Sequence, residues 1–364
     1  KNLFDETPEH CLRLALNKPV LTNEQLLAIK DLDHRDLRSK TLPTLFAVDQ
    51  RGKGLEDALT QLCAQAEAAI DQGHSVLVLT DRGHDERLAP IPSLLATSAV
   101  HHHLIRKGKR SQCGLVIESG EPREVTHFCL LLGYGASAIN PYLAFETVHD
   151  QVQNGNMQKI DGVKGVDNYI KAVHKGIRKV MSKMGISTLQ SYQGAQIFEA
   201  IALRKSLIES YFTGTASKIA GVGLEEIAAE AAVRHHTAYE VPALLASSDL
   251  DPGGIYQWRR RGEYHMYNPE TVASLQHAVR SANYKLFKTY SAKVNDNSRQ
   301  LCTIRGLLEF KPQKSIPIEE VESVNDIVKR FKTGAMSFGS ISKEAHENIA
   351  IAMNRIGARS NTGE

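Results

Sequence analysis

The stretch Ser75-Val76-Leu77-Val78-Leu79-Thr80-Asp81-Arg82-Gly83 decides the fold. Its run of β-branched and aliphatic residues, without polar alternation, fits a strand covered on both faces, the kind found in parallel sheets. Asp81-Arg82-Gly83 ends it. Upstream, Gly54 to Ile70 places Leu55, Leu59, Leu62, Ala66 and Ala69 three or four residues apart, an apolar helical stripe. Downstream, Ile91-Pro92-Ser93 opens a helix through Leu104, Cys113 to Glu118 is a second buried strand, Arg123 to Leu132 is a helix, and Ala138-Ile139-Asn140 starts a third strand closed by Pro141. Three repeats of strand, loop and helix imply an α/β class with parallel pairing and right-handed crossovers.

Beyond this nucleus the rhythm loosens. Thr22, with Glu24 after it, caps a helix over Leu21 to Lys30. Tyr169 to Met184 carries Ile170, Val173, Ile177, Val180 and Met184 on one stripe and stops at Gly185. Ser187 to Tyr192 reads as a short strand, Gln193-Gly194-Ala195 leads into a helix through Lys205, and Leu224 to His235 is an alanine-rich helix. Residues 241–267 break the pattern. Asn268-Pro269-Glu270 then caps a helix to about Tyr290, a second boundary falls at Lys311 to Pro317, and a last helix, Lys343 to Ile356, turns Ala345, Ile349, Ala352 and Ile356 inward.

Composition narrows the function. The 364 residues are 42% hydrophobic and 23% charged, the balance of a globular chain large enough for two or three domains. A formal charge of +3 gives no reason to expect a nucleic-acid or membrane surface, and Arg259, Arg260 and Arg261 read as a solvated loop. The five cysteines are scattered, without a CxxC pair, which argues against disulfide stapling and a cysteine-only metal site and makes a reducing, cytoplasmic-type compartment the default. No apolar stretch reaches the length of a membrane span.

Several segments could carry chemistry. Asp81 could orient Arg82 for an anion beyond a strand end, or the loop could simply be held by ion pairs. Glu118 could bind a cation or an amide-bearing ligand, or satisfy nearby backbone amides. His101, His102 and His103 cannot converge on one ion, because adjacent helical residues point about 100° apart; one buried, polar-partnered ring and two near the face edges are expected. Gly214 to Gly223 lacks the Gly-Lys-Ser/Thr ending of a phosphate loop and reads as a turn into the next helix. The strongest candidate is Phe331 to Ser340. There Gly334 and Gly339 permit close backbone approach, Ser337 and Ser340 offer hydroxyls, and the Lys343 helix start adds free amides. The polar loop Asn361-Thr362-Gly363-Glu364 follows one strand-helix unit later.

These strings resemble a known family. Thr80-Asp81-Arg82-Gly83, Ala89-Pro90-Ile91-Pro92-Ser93-Leu94-Leu95-Ala96, Ala99-Val100-His101-His102-His103-Leu104, Leu132-Gly133-Tyr134-Gly135-Ala136, Asn140-Pro141-Tyr142-Leu143-Ala144 and Gly334 to Ser340 with Ser360 to Glu364 are similar to the large subunit of glutamate synthase. The resemblance implies a degenerate (β/α) barrel-like central domain over residues 1–265, a helical linker and entry over 266–317, and the first elements of an incomplete (β/α)8 FMN-binding barrel over 318–364. It implies an enzyme that makes L-glutamate from glutamine-derived ammonia and 2-oxoglutarate by reduction at FMN, in nitrogen assimilation. Electrons would arrive through a 3Fe-4S cluster from ferredoxin or an NADPH-oxidising small subunit. This portion would bridge the amidotransferase and synthase domains and help to wall the ammonia tunnel. Ala335, Met336 and Ser337 match positions lining the FMN site, Ser340 would add a polar contact there, and Glu364 matches an acidic residue near the substrate pocket. No amidotransferase cysteine matches, and the iron-sulfur cysteines would come after Glu364, so the resemblance implies an inactive 364-residue portion without tightly held FMN. The implied location is the cytoplasm, or the plastid stroma in a photosynthetic eukaryote. A stand-alone α/β binding or scaffold domain is the alternative.

Overall fold

A computed structural model describes residues 7, 13–34, 37–157, 159–239, 253–296 and 300–363. The chain divides into two compact units, Lys1–Ser247 and Ser248–Glu364.

The first unit begins with helix α1 (Asn23–Lys30), the short strands β1 (Asp33–His34), β2 (Leu37–Pro43) and β3 (Leu45–Ala47), and helix α2 (Arg51–Asp71). Then come β4 (Val76–Thr80), β5 (Leu88–Pro90), α3 (Ser93–Arg106), β6 (Gly114–Glu118), α4 (Val125–Gly133), β7 (Ala138–Asn140), α5 (Tyr142–Gln153) and α6 (Gly162–Met184). It closes with α7 (Leu189–Tyr192), β8 (Glu199–Leu203), α8 (Lys205–Tyr211), β9 (Ala216–Val222) and α9 (Leu224–Tyr239).

The main sheet runs β1-β2-β4-β6-β7, with β2, β4, β6 and β7 parallel and β1 antiparallel at the edge. Its parallel order rises without reversal, so each crossover helix lands beside the last. Side chains alternate faces along each strand with a period of two. Leu77, Leu79, Leu115, Ile117 and Ile139 join the helical layer of α2, α3, α4 and α6. Val76, Val78, Val116 and Ala138 pack on the other face against Leu26 and Ile29 of α1. Coverage of both faces is why β4 tolerates no polar alternation; burial stabilises each such aliphatic side chain by about 1.5–3 kcal/mol. Thr22 caps α1 with a reciprocal box to Gln25.

Four expectations fail in the margins. Residues 189–192 are helical, started by Thr188, whose hydroxyl accepts from the Ser191 amide at 3.3 Å. The helix expected through Lys205 is instead strand β8, paired in parallel with β9, which occupies the segment read as a turn. Alanine-rich composition favours a helix only weakly, and the ladder overrides it. The register slips around Ala202, at φ 59°. In addition, α6 starts at Gly162, seven residues before the expected start at Tyr169, on an Asp161 cap.

The second unit contains α10 (Pro269–Arg280), α11 (Tyr284–Asn295), α12 (Val324–Val328), β10 (Lys332–Ala335), α13 (Lys343–Arg355) and β11 (Arg359–Asn361). The single helix expected from Asn268 to Tyr290 is two: Ala282 turns left-handed at φ 48° and Asn283 caps the second. β10 and β11 pair in parallel around α13, one strand-helix-strand unit. No residue of α13 is buried: on the predicted inward face Ile349 is half-buried and Ala345, Ala352 and Ile356 are exposed.

Candidate functional site

In the first unit the parallel strands end in a polar layer. Thr80 and Glu118 are Cα partners in the ladder, as are Glu118 and Asn140, so the three share one face at the carboxyl end of the sheet. The buried Glu118 carboxylate accepts from Lys30 Nζ at 2.5 Å, Thr80 Oγ1 at 2.6 Å and Arg82 Nε at 2.9 Å. Burial alone would raise its pKa; the Lys30, Thr80 and Arg82 interactions outweigh that and hold it below the ordinary carboxylate value. Arg82 lies 3.8 Å over the Tyr142 ring and reaches Glu146 at 3.5 Å.

Asp81 does not hold Arg82. It turns to the opposite side of β4, where Oδ2 accepts from Ser119 Oγ at 2.7 Å and the Gly120 amide at 2.9 Å. Burial leaves its pKa raised despite those bonds. The nearby Tyr142 hydroxyl also favours the charged carboxylate, while Oδ1 makes no hydrogen bond with a described residue. Burial and then the Asp81 charge push the Tyr142 phenol up. Thus Arg82 and Glu118, singled out separately in the sequence, meet each other, and Lys30, Thr80 and Tyr142 are the partners that sequence reading missed. The available signal was registry: Thr80 and Glu118 both end aliphatic runs. The result is an internally neutralised rim that orders the strand-end loops.

The histidine run behaves as its spacing requires. His101 is buried, its Nδ1 accepting from Arg110 Nε at 2.9 Å, while His103 approaches Glu67 at 2.9 Å. Among the described residues no group of three His, Cys, Asp or Glu could hold a metal ion.

In the second unit, Ala335 ends β10, and Met336 donates its amide to the Asn361 carbonyl at 3.4 Å, joining the two candidate loops. Asn361 in turn donates its amide to Thr333 Oγ1 at 3.0 Å. Ser340 donates its amide and hydroxyl to the Ser337 carbonyl at 3.1 and 2.8 Å, a turn that leads to the Ser342 cap of α13. Ser337 Oγ makes no hydrogen bond with a described residue. A Cβ placed at Gly334 would meet nothing within 4 Å among the described residues, so neither their packing nor the backbone angle requires glycine there. Glu364 lies outside the described residues.

The family model described as glutamate synthase central domain matches residues 1–204, and that described as conserved region in glutamate synthase matches 265–364. The chain is 50% identical over its whole length to the glutamate synthase (NADPH) large chain of Bacillus subtilis. It is 42% identical, again over all of this chain, to the glutamate synthase (NADH) of Schizosaccharomyces pombe, and 39% to the ferredoxin-dependent glutamate synthase of Pyropia yezoensis. The chain spans 23%, 17% and 24% of those relatives, respectively. Among solved structures, the flavin-binding domain of baker's yeast flavocytochrome b2 aligns over 52% of this chain and 40% of its own, at 16% identity and a TM-score of 0.29, too low to carry an argument.

Proposed function

This chain belongs to the glutamate synthase family, and from that premise we propose that it joins the glutamine-splitting centre of such an enzyme to its flavin centre. The supporting observation is order: the central-domain match is followed, in one chain, by the synthase-region match. Residues 1–265 are then a degenerate relative of the flavin barrel, 266–317 a helical linker, and 318–364 the start of the (β/α)8 domain. The unreversed parallel order of β2, β4, β6 and β7 supports barrel ancestry, with α1 on the face that a barrel turns inward.

The residues at the end of β10 fit one wall of a flavin site. The open space over Gly334 suits close approach of a flat ring, and the uncommitted Ser337 hydroxyl suits a polar edge. Ala335, Met336, Ser337 and Ser340 would hold FMN, which when bound supplies the reducing equivalents for the imine of 2-oxoglutarate; Glu364 would border the substrate. The 3Fe-4S ligands would lie elsewhere in a longer polypeptide, and the electron donor would be ferredoxin or an NADPH-oxidising subunit.

The first unit's contribution is rigidity and exclusion of water. Ammonia released to solvent is diluted and largely protonated near neutral pH, losing the lone pair that attacks a ketone; a walled path preserves both concentration and nucleophilicity. The test joins this chain to the remaining barrel, adds FMN, and follows flavin absorbance and 2-oxoglutarate reduction with supplied ammonia. Activity is expected in the extended protein and not in the 364-residue chain; equal turnover by the short chain would contradict the assignment.

A further inference from the structure

Loop 253–263 of the second unit is closed on itself. The Glu263 amide donates to the Gly253 carbonyl at 3.0 Å, the Gly262 amide to the Arg259 carbonyl at 3.0 Å, and the His265 ring to the Gly254 carbonyl. A Cβ at Gly262 would sit 2.2 Å from the Gly253 oxygen, and Gly254 holds φ 108°. Arg261 is left-handed at φ 64°, a conformation that costs a non-glycine residue about 1 kcal/mol and persists only where its surroundings enforce it.

What this pinned backbone presents is unusual in kind. Trp258, the chain's only tryptophan, is 44% exposed, and Tyr256 is 73% exposed. Arg259, Arg260 and Arg261 are all exposed, and none is ion-paired with a described residue. Trp, Tyr and Arg are the residues that dominate binding energy at protein interfaces, and a preorganised loop reduces the ordering cost of association. Three adjacent unpaired guanidinium groups select carboxylates, which they engage in planar, bidentate fashion. Nucleic acid fits less well, because the chain as a whole carries only +3 and offers no extended basic field to track phosphates.

We propose that loop 253–263 is a docking element for a partner polypeptide with a carboxylate-rich face, Trp258 entering an apolar notch and Arg259, Arg260 and Arg261 pairing around it. The charges set approach and orientation; the indole supplies the desolvated anchor.

Because Trp258 is the sole tryptophan, its fluorescence reports on this loop alone. The probe is a short synthetic peptide of glutamates punctuated by leucines, titrated into the protein. The expected result is a saturable blue shift whose affinity falls about tenfold in Arg260→Glu and weakens with added salt. Arg260→Gln, which removes no internal hydrogen bond of the loop, should weaken binding with an unchanged melting temperature. Lys175→Glu, on the exposed side of α6, should change nothing. Equal binding of a glutamine-for-glutamate peptide, equal competition by a single-stranded oligonucleotide, a shift produced by protein concentration alone, an equal loss in Lys175→Glu, or no saturable shift would each overturn the proposal.

Discussion

Val76–Thr80 and Lys332–Ala335 are both parallel strands that lead through a loop into a helix, yet every residue of the first is buried and none of the second. β4 lies between β2 and β6, with helices on one face and α1 on the other. β10 has a single ladder partner, β11, in a two-stranded sheet. Around it Phe331, Phe338, Ile351 and Ile356 are more than half exposed. The difference teaches that a local pattern encodes an element, while burial has to come from neighbours; one strand-helix-strand unit has too few to enclose its own apolar face. Where neighbours are complete, a substitution acts through packing. Where they are sparse, it acts mainly on whatever else would occupy the space.

The sharpest contrast uses two glycines. A Cβ at Gly135, already at φ 112°, would fall 2.2 Å from His101 Nδ1, the atom that accepts the Arg110 hydrogen bond, and Arg110 also donates to the Gly135 carbonyl at 2.7 Å. Gly135→Ala therefore combines backbone strain, overpacking and a broken buried polar contact, and should destabilise the first unit by about 4 kcal/mol in urea denaturation. A loss below about 1 kcal/mol would mean that this region is not packed as tightly as the comparison requires.

Next in size is Glu118→Ala. It leaves Lys30 and Arg82 without their shared carboxylate, but both ammonium and guanidinium retain access to water, which limits the cost to about 2–3 kcal/mol. Increased hydrogen exchange at residues 81–88 should accompany it, because Arg82 anchors that loop. Unchanged exchange would make Glu118 a local charge pair rather than the organiser of the rim.

The same two regions explain what could be read in advance. The runs at Val76 and Cys113 and the stripe from Leu55 to Ala69 were legible because burial on both faces, or along one, leaves an unbroken hydrophobic signal. The Glu118 cluster was not, since Lys30 and Arg82 lie 88 and 36 residues away in sequence, and only the pairing of β4 with β6 and the packing of α1 on the sheet unite them. β8 was missed because its alanines favour helix while a partner strand decides otherwise. The apolar side of α13 was legible as a stripe, but its inward direction presupposed neighbours that the described residues do not include.

A smaller effect belongs to His101 and is confined to acid. Burial first, and the Arg110 charge second, push its imidazole down to about 3 from the ordinary 6.5. The folded chain thus refuses a proton that the unfolded chain accepts below about pH 6.5. Its contribution is fully present above that pH and declines as pH falls toward 3, by about 2 kcal/mol at pH 5. His101→Gln should flatten this part of the stability-versus-pH curve. An unaltered slope between pH 6.5 and 5 would assign the acid sensitivity to other groups.

The smallest effect expected on stability is the most informative about function. Gly334→Val places a β-branched side chain on strand β10, where the added Cβ meets nothing within 4 Å, so the 364-residue chain should change by no more than about 0.5 kcal/mol. In the protein extended through the barrel, the same substitution should lower FMN retention, because the side chain would fill the space proposed for the flavin. The two readouts separate the alternatives. A large loss of stability in the short chain would show that Gly334 serves the strand itself; unchanged flavin occupancy in the extended protein would show that the open space at β10 is not part of the cofactor wall.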